Sequence, residues 1–111
     1  MGTQVITVAF DVDGTLVSWH ETEEMQSGGG YGYDVPNDAA INLLKAFKQL
    51  GCRIIVWSGS GEDYARMWVK RLWLEPHVDV VTAKPPAGEC VHIAVDDCEV
   101  DFGKVNLRIP E

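Results

Sequence analysis

The chain is short of cations. Its 111 residues contain 9 Lys and Arg against 17 Asp and Glu, so the formal net charge is −8 at pH 7. Such a surface repels polyphosphates, and a nucleic-acid polymer is therefore an unfavourable partner. A small anionic substrate is still compatible with this charge if the binding site supplies its own cation or metal ion.

Long apolar runs and paired cysteines are also missing. No stretch approaches the apolar length of a membrane span, and no basic segment precedes the first apolar stretch near Met1, so we expect neither a membrane anchor nor a secretory signal. The three cysteines, Cys52, Cys90 and Cys98, form no C-x-x-C pair, and with the three histidines they show no zinc-ligand spacing. A cytoplasmic location fits this cysteine usage best.

The rest of the composition is that of one ordinary globular domain, with 46% apolar and 23% charged residues. Apolar, β-branched stretches predict strands over residues 5–10, 53–57, 78–82 and 91–95, and an edge strand over 105–109. Helical spacing predicts a helix from Asn37, as N-cap, to Gly51, and a second helix from a capping box at Ser60 and Asp63 to about Trp73. This order predicts an α/β fold, a Rossmann-like sandwich around a mainly parallel sheet.

Residues 16–35 are the least regular part of the chain. We predict a loose β-hairpin with a glycine-rich tip, and a loop of this length is often functional. The aromatic residues Trp19, His20, Tyr31 and Tyr33 in this flap either stack on a base or only pack the loop.

The first predicted strand runs directly into Asp11 and Asp13, which are followed by Gly14 and Thr15. Carboxylates two residues apart at the end of a strand point to the same side. Gly14 permits the sharp exit that a loop needs. The alternative interpretation is a strand that simply ends in an Asp-Gly turn.

Polar side chains also follow the other predicted strands: Ser58 the second, Lys84 the third, and Asp96 and Asp97 the fourth. The carboxyl ends of parallel strands meet at one edge, where such folds bind ligands. Several neighbouring carboxylates require a cation, which predicts Mg²⁺. Such a pocket suits a phosphoryl group, with one aspartate attacking phosphorus and the other transferring protons.

Together these segments resemble the haloacid dehalogenase (HAD) superfamily. The resemblance extends from residue 5 to residue 97 and includes Asp-Val-Asp-Gly-Thr at 11–15, Val-Trp-Ser-Gly at 56–59, a lysine, and a strand that ends in Asp-Asp. It implies a phosphatase that hydrolyses phosphomonoesters through an aspartyl-phosphate, with Mg²⁺ as cofactor.

The resemblance also implies residue roles. Asp11 would be the nucleophile, Asp13 the general acid and base, and Lys84 the residue that balances the charge of the nucleophile and of the phosphate. The phosphate-binding residues would be Val12, Gly14, Thr15 (which would also fix the loop), Ser58 and Gly59. Mg²⁺ would be held by Asp11, the Asp13 backbone carbonyl, Asp96 and Asp97, with Asp96 preferred over Asp97 as direct ligand.

Two features depart from the family pattern. Ser60 and Gly61 stand where many relatives carry an arginine, which removes a contact to phosphate or substrate. Both positions at which relatives insert a cap domain are too short for one, so the resemblance implies a single capless domain over residues 1–111, with 16–35 as a flap. An uncovered site implies a large substrate, a covering partner or a homo-oligomer.

Several alternatives stay open. A nucleotide or phosphosugar suits the acidic surface better than a nucleic-acid end or a phosphoprotein. A phosphoacceptor switch of the receiver type also uses acidic residues, a hydroxyl and a lysine, but there the acidic pair follows the first strand and here it comes last. The third possibility is a catalytically weak or inactive module that binds phosphate or regulates a partner.

Overall fold

A computed structural model describes residues 4–20, 33–84 and 90–109 of the chain. These ranges contain seven strands, two α-helices and one 3₁₀ turn. In chain order they are β1 (Thr7–Asp11), β2 (Val17–His20), β3 (Tyr33–Pro36), α1 (Asp38–Gln49), β4 (Arg53–Ser58), α2 (Glu62–Arg71), the 3₁₀ turn (Glu75–His77), β5 (Val80–Ala83), β6 (Ile93–Asp96) and β7 (Val105–Arg108).

Five strands form one parallel sheet in the order β5-β4-β1-β6-β7. This confirms the predicted α/β class and parallel sheet, an arrangement compatible with a Rossmann-like fold. Each of the five predicted strands agrees with an observed strand to within two residues at both ends. In β1 and β4, Val8 pairs with Ile54 and Ala9 with Ile55, and all four are fully buried, which explains why these strands have continuous apolar runs.

The strand order reverses beside β1. From β1 the chain moves to β4 and then to the edge at β5, whereas β6 and β7 are added on the other side of β1. In open parallel sheets, ligands bind outside the carboxyl ends of the strands at such a reversal point. The fold therefore places the end of β1, and with it Asp11, at the position where a binding site is expected.

Both α-helices pack on one face of the sheet, where their apolar residues join Phe10 and Val56 in the main core. The members from the helices are Ala40, Ile41, Leu44, Ala65, Trp68 and Val69. On the opposite face Ile55 and Trp57 are also buried. The Phe102 ring packs edge-on against the Trp57 ring, with the two ring centroids 5.2 Å apart. Neither α-helix of the described ranges has the length and apolar character needed to cross a bilayer.

The ends of the helices confirm one predicted cap and correct another. The Asn37 side chain accepts a hydrogen bond from the Ala40 N–H at 3.3 Å, as predicted. The predicted capping box at Ser60 is wrong, because α2 begins after Gly61 and has no side-chain cap. The Ser60 N–H donates instead to Ser58 Oγ at 3.0 Å, so this residue belongs to the turn after β4.

The predicted hairpin is confirmed at its two ends. Strands β2 and β3 pair antiparallel, with Trp19 opposite Asp34 and Val17 opposite Pro36. The predicted glycine-rich tip and Tyr31 lie outside the described residues, as do the side chains of His20 and Tyr33.

Candidate active site at the carboxyl edge of the sheet

Three charged residues from three strands meet at this edge. Asp11 ends β1, Asp96 ends β6, and Lys84 follows β5, which lies two strands away from β1. The Lys84 Nζ is 3.5 Å from Asp11 Oδ1 and donates a hydrogen bond to Asp96 Oδ2. Asp11 is 7% exposed and Asp96 1% exposed, so the ammonium group joins two buried carboxylates.

The backbone and one aromatic ring hold Lys84 in this position. Its N–H donates to the Ser58 carbonyl at 3.0 Å, which extends the pairing of β4 with β5 by one residue. Its Nζ lies 5.5 Å from the centre of the Phe102 ring, a distance at which a cation is attracted to the ring face. The lysine is therefore directed over the ends of β4 and β1 and not into solvent.

The charges at this edge shift one another's protonation. Burial, with the charge of Asp96 next, raises the pKa of Asp11 from 3.8 to about 7, although Lys84 acts in the opposite direction. Burial also raises the pKa of Asp97. Burial opposes the charged forms of Asp96 and Lys84, but their mutual hydrogen bond lowers the pKa of Asp96 and raises that of Lys84. The site thus carries more carboxylate than one lysine can neutralise.

The loop after β1 is closed on itself by backbone hydrogen bonds. The Val12 carbonyl accepts from the N–H groups of Thr15, Leu16 and Val17 at 3.0 to 3.2 Å. The Gly14 N–H donates to the Val17 carbonyl at 2.7 Å, so this amide is already used within the loop. The predicted contacts of Val12, Gly14 and Thr15 with phosphate stay predictions, and Thr15 Oγ1 is buried without a hydrogen-bond partner among the described residues.

Gly14 is required at its position for two reasons. Its φ of +80° lies in the left-handed region that favours glycine. A Cβ built on it would also lie 2.2 Å from Asp97 Oδ2 and 2.5 Å from Asp97 Cγ. The absence of a side chain therefore lets the loop after β1 approach the carboxylate that follows β6.

Ser58 and Gly59 lie at the same edge, next to β1. Trp57 is the register partner of Asp11, so Ser58 is one residue beyond the level of Asp11. Its side chain is buried, and Oγ accepts from the Ser60 N–H. Apart from its chain neighbours, no atom of the described residues lies within 4 Å of a Cβ built on Gly59, so this part of the backbone is open to a ligand. Among the described residues, no side-chain hydrogen bond joins Ser58 to the acidic residues, and its predicted phosphate-binding role stays a prediction.

Asp13 has a partner that the sequence did not indicate. The hydroxyl group of Tyr64, in the first turn of α2, donates to Asp13 Oδ1 at 2.6 Å. Burial and this hydrogen bond raise the pKa of Tyr64, so the phenol keeps its proton and remains the donor. The bond fixes one oxygen of Asp13, and the residue as a whole stays exposed.

The donor set fits a hard cation. One oxygen each of Asp96 and Asp97 and the Sγ of Cys98 all lie within 4.8 Å of one another. The nearby charge of Asp97 raises the pKa of the Cys98 thiol, which disfavours the thiolate that zinc would require. Two carboxylates beside a third, Asp11, with a raised pKa form an oxygen-rich, anionic site of the kind that suits Mg²⁺.

A cavity of about 350 Å³ opens beside Asp13. Its walls come from the loop after β1, the hairpin, α2 and the end of β6: Asp13, Gly14, Val17, Trp19, Asp34, Tyr64 and Asp97. The sequence did not indicate Asp34 as a site residue, because no short turn between β2 and β3 fixes the register of the two strands. The sequence indicated Tyr64 only weakly: it lies four residues before Trp68 and so continues the apolar stripe of α2.

Neither the models of known protein families nor the sequences of curated proteins match this chain. A functional assignment therefore depends on the residues at this edge and on their geometry.

Proposed function

We propose that the chain is a Mg²⁺-dependent phosphatase of the HAD type that hydrolyses small phosphomonoesters. The observation that carries this proposal is the convergence of Asp11, Lys84 and Asp96 at the ends of three strands, although Asp11 and Lys84 are 73 positions apart in the sequence. A buried surplus of carboxylates disfavours folding unless a cation neutralises it, so such an arrangement is typical of a functional site.

In the first step Asp11 attacks the phosphorus atom. A bond forms between its carboxylate oxygen and phosphorus, and the ester P–O bond breaks. Asp13 donates a proton to the departing oxygen, which leaves as an alcohol. Lys84 stabilises the negative charge on Asp11 and on the phosphoryl oxygens, and the raised pKa of Lys84 keeps it protonated at neutral pH.

In the second step water hydrolyses the aspartyl-phosphate. Asp13 now takes a proton from water, the water oxygen bonds to phosphorus, and the bond to Asp11 breaks to release phosphate. The hydrogen bond from Tyr64 holds Asp13 in one orientation through both proton transfers.

Asp11, Asp96, Asp97 and the Asp13 backbone carbonyl would hold Mg²⁺. When bound, the ion supplies positive charge that neutralises the carboxylates and the phosphoryl oxygens. The chain has no insertion long enough for a cap, so we propose the hairpin of β2 and β3 as the element beside the site. The three cysteines are free, in keeping with a reducing compartment such as the cytoplasm.

The test is phosphate release from p-nitrophenyl phosphate and acetyl phosphate with and without Mg²⁺. We expect turnover that needs the metal and is abolished by Asp11→Asn. Glu62→Gln, which removes an exposed acid at the start of α2 outside the site, is the matched control. Absence of turnover on both compounds would overturn the proposal and favour a phosphate-binding module, and full activity of Asp11→Asn would overturn the assignment of the nucleophile.

A further inference from the structure

The cavity beside Asp13 lies on the leaving-group side of the proposed reaction. Asp13 lines it, whereas Asp11, Lys84 and Ser58 do not. Asp13 is the residue proposed to protonate the departing oxygen, so the part of the substrate attached to that oxygen would occupy this space. The lining of the cavity should therefore select the leaving group.

The cavity is acidic. Three of the described residues that line it are aspartates, Asp13, Asp34 and Asp97, and none of these described residues is a lysine or arginine. Asp97 and Asp13 belong to the residues proposed to surround the metal, but Asp34 lies on β3 and is outside that set. Its charge is available to a ligand even when Mg²⁺ is bound. A leaving group with a second phosphate or a carboxylate would be repelled here.

An aromatic ring lies beside this carboxylate. Trp19 is directly opposite Asp34 in the antiparallel pairing of β2 with β3, so both side chains are on the same face of the hairpin. Both line the cavity, with the Tyr64 ring and Val17 as further apolar walls. A tryptophan face beside a carboxylate attracts an alkylammonium group through the ring and through the charge.

We propose that the substrate of this site is the phosphate ester of a short amino alcohol, whose ammonium group binds between Trp19 and Asp34. This inference depends on the proposed phosphatase function and narrows its substrate class. Trp19 and Asp34 are the specificity-determining residues. A nucleoside monophosphate would also stack on Trp19, but a neutral base gains much less from the carboxylates than a cation does.

The test compares two esters of the same shape. Phosphocholine carries a trimethylammonium group, and 3,3-dimethylbutyl phosphate replaces the charged nitrogen with carbon. With wild-type protein and Mg²⁺ we expect kcat/KM for phosphocholine to exceed that for the isostere by about tenfold, the effect of one cation site of this kind. Asp34→Asn and Trp19→Leu should each bring the ratio close to one.

Matched controls remove the same groups elsewhere. Asp38→Asn removes an exposed acid in the first turn of α1, and Trp73→Leu removes an indole that is 85% exposed after α2. Neither residue lines the cavity, so both variants should keep the wild-type ratio. A competition assay needs no variant: choline should inhibit hydrolysis of p-nitrophenyl phosphate at lower concentration than 3,3-dimethylbutanol.

The outcomes separate this inference from the function on which it depends. If p-nitrophenyl phosphate is hydrolysed but the two esters react equally, and choline inhibits no better than the alcohol, the substrate class is wrong and the phosphatase stands. A higher kcat/KM for nucleoside monophosphates than for phosphocholine would likewise replace the ammonium site with a base site. If no ester is hydrolysed, the phosphatase proposal itself fails and the inference falls with it.

Discussion

Among the described residues, Lys84 and Lys48 both form ion pairs with aspartate but differ in burial, and their comparison tests the electrostatics of the site. Lys84 is paired with Asp96, whose side chain is 1% exposed, and with Asp11. Lys48 is paired with Asp79 at 2.8 Å, and each of these side chains is 34% exposed. Replacing either lysine with methionine removes the charge and keeps most of the apolar side chain.

The two substitutions should differ in their effect on the free energy of unfolding. Removing one partner of a buried pair typically costs about 3–5 kcal/mol because the other charge stays buried. Lys84 keeps some access to water, so we expect Lys84→Met to lower the free energy of unfolding by about 2–3 kcal/mol at pH 7. Lys48→Met should cost less than about 1 kcal/mol, as is usual for an exposed pair.

The pH dependence adds a second criterion. Lys84 lowers the pKa of Asp96 below its ordinary value of 3.8, so the stability from this pair is fully present above that value. It is lost as the pH falls through the lowered pKa of Asp96. The difference between wild type and Lys84→Met should therefore be largest near neutral pH and should shrink below about pH 4.

Urea unfolding of the metal-free proteins, followed by tryptophan fluorescence between pH 7 and pH 3.5, measures both quantities. If Lys84→Met costs no more than Lys48→Met at pH 7, the cluster at the end of β1 is not a buried charge network. A difference that stays constant down to pH 3.5 would also refute the reasoning, because it would then arise from packing and not from charge.

Three further predictions follow from the same edge of the sheet. Asp11→Asn should stabilise the metal-free protein above pH 7. The rise of the Asp11 pKa from 3.8 to about 7 disfavours the folded state by at most about 4 kcal/mol above pH 7 and by nothing below pH 3.8. A gain in melting temperature at pH 8 that is equally large at pH 4 would contradict this assignment. Gly14→Ala should lower the free energy of unfolding, measured by urea titration, by roughly 2–4 kcal/mol, because alanine would be strained both by the left-handed φ and by its contact with Asp97. A loss under about 0.5 kcal/mol would show that the loop can relax. Tyr64→Phe should lower kcat on p-nitrophenyl phosphate by roughly five- to tenfold with little change in melting temperature, because only the hydrogen bond that orients Asp13 is lost. An unchanged kcat would remove Tyr64 from the proposed mechanism.

Local chemistry explains what the sequence alone could predict. The β-branched runs of β1 and β4 are buried on both faces, so their strands are recognisable without any tertiary information. The cap at Asn37 and the left-handed Gly51 depend only on neighbouring residues and were predictable for the same reason. The polar residues that follow the strands could be listed as one site because parallel strands share an edge.

The tertiary structure decided the features that depend on register and on distant contacts. The position of β1 between β4 and β6, which directs Lys84 to Asp96, is set by packing of the whole sheet. The bond from Tyr64 to Asp13 depends on where α2 lies, and the pairing of Trp19 with Asp34 depends on a hairpin register that no short turn specifies. The capping box predicted at Ser60 does not form, because the Ser60 N–H that a capping box would use donates to Ser58 Oγ instead. Residue types therefore predicted the class of chemistry proposed for this edge, whereas only the folded chain brought the walls of the cavity beside Asp13 together.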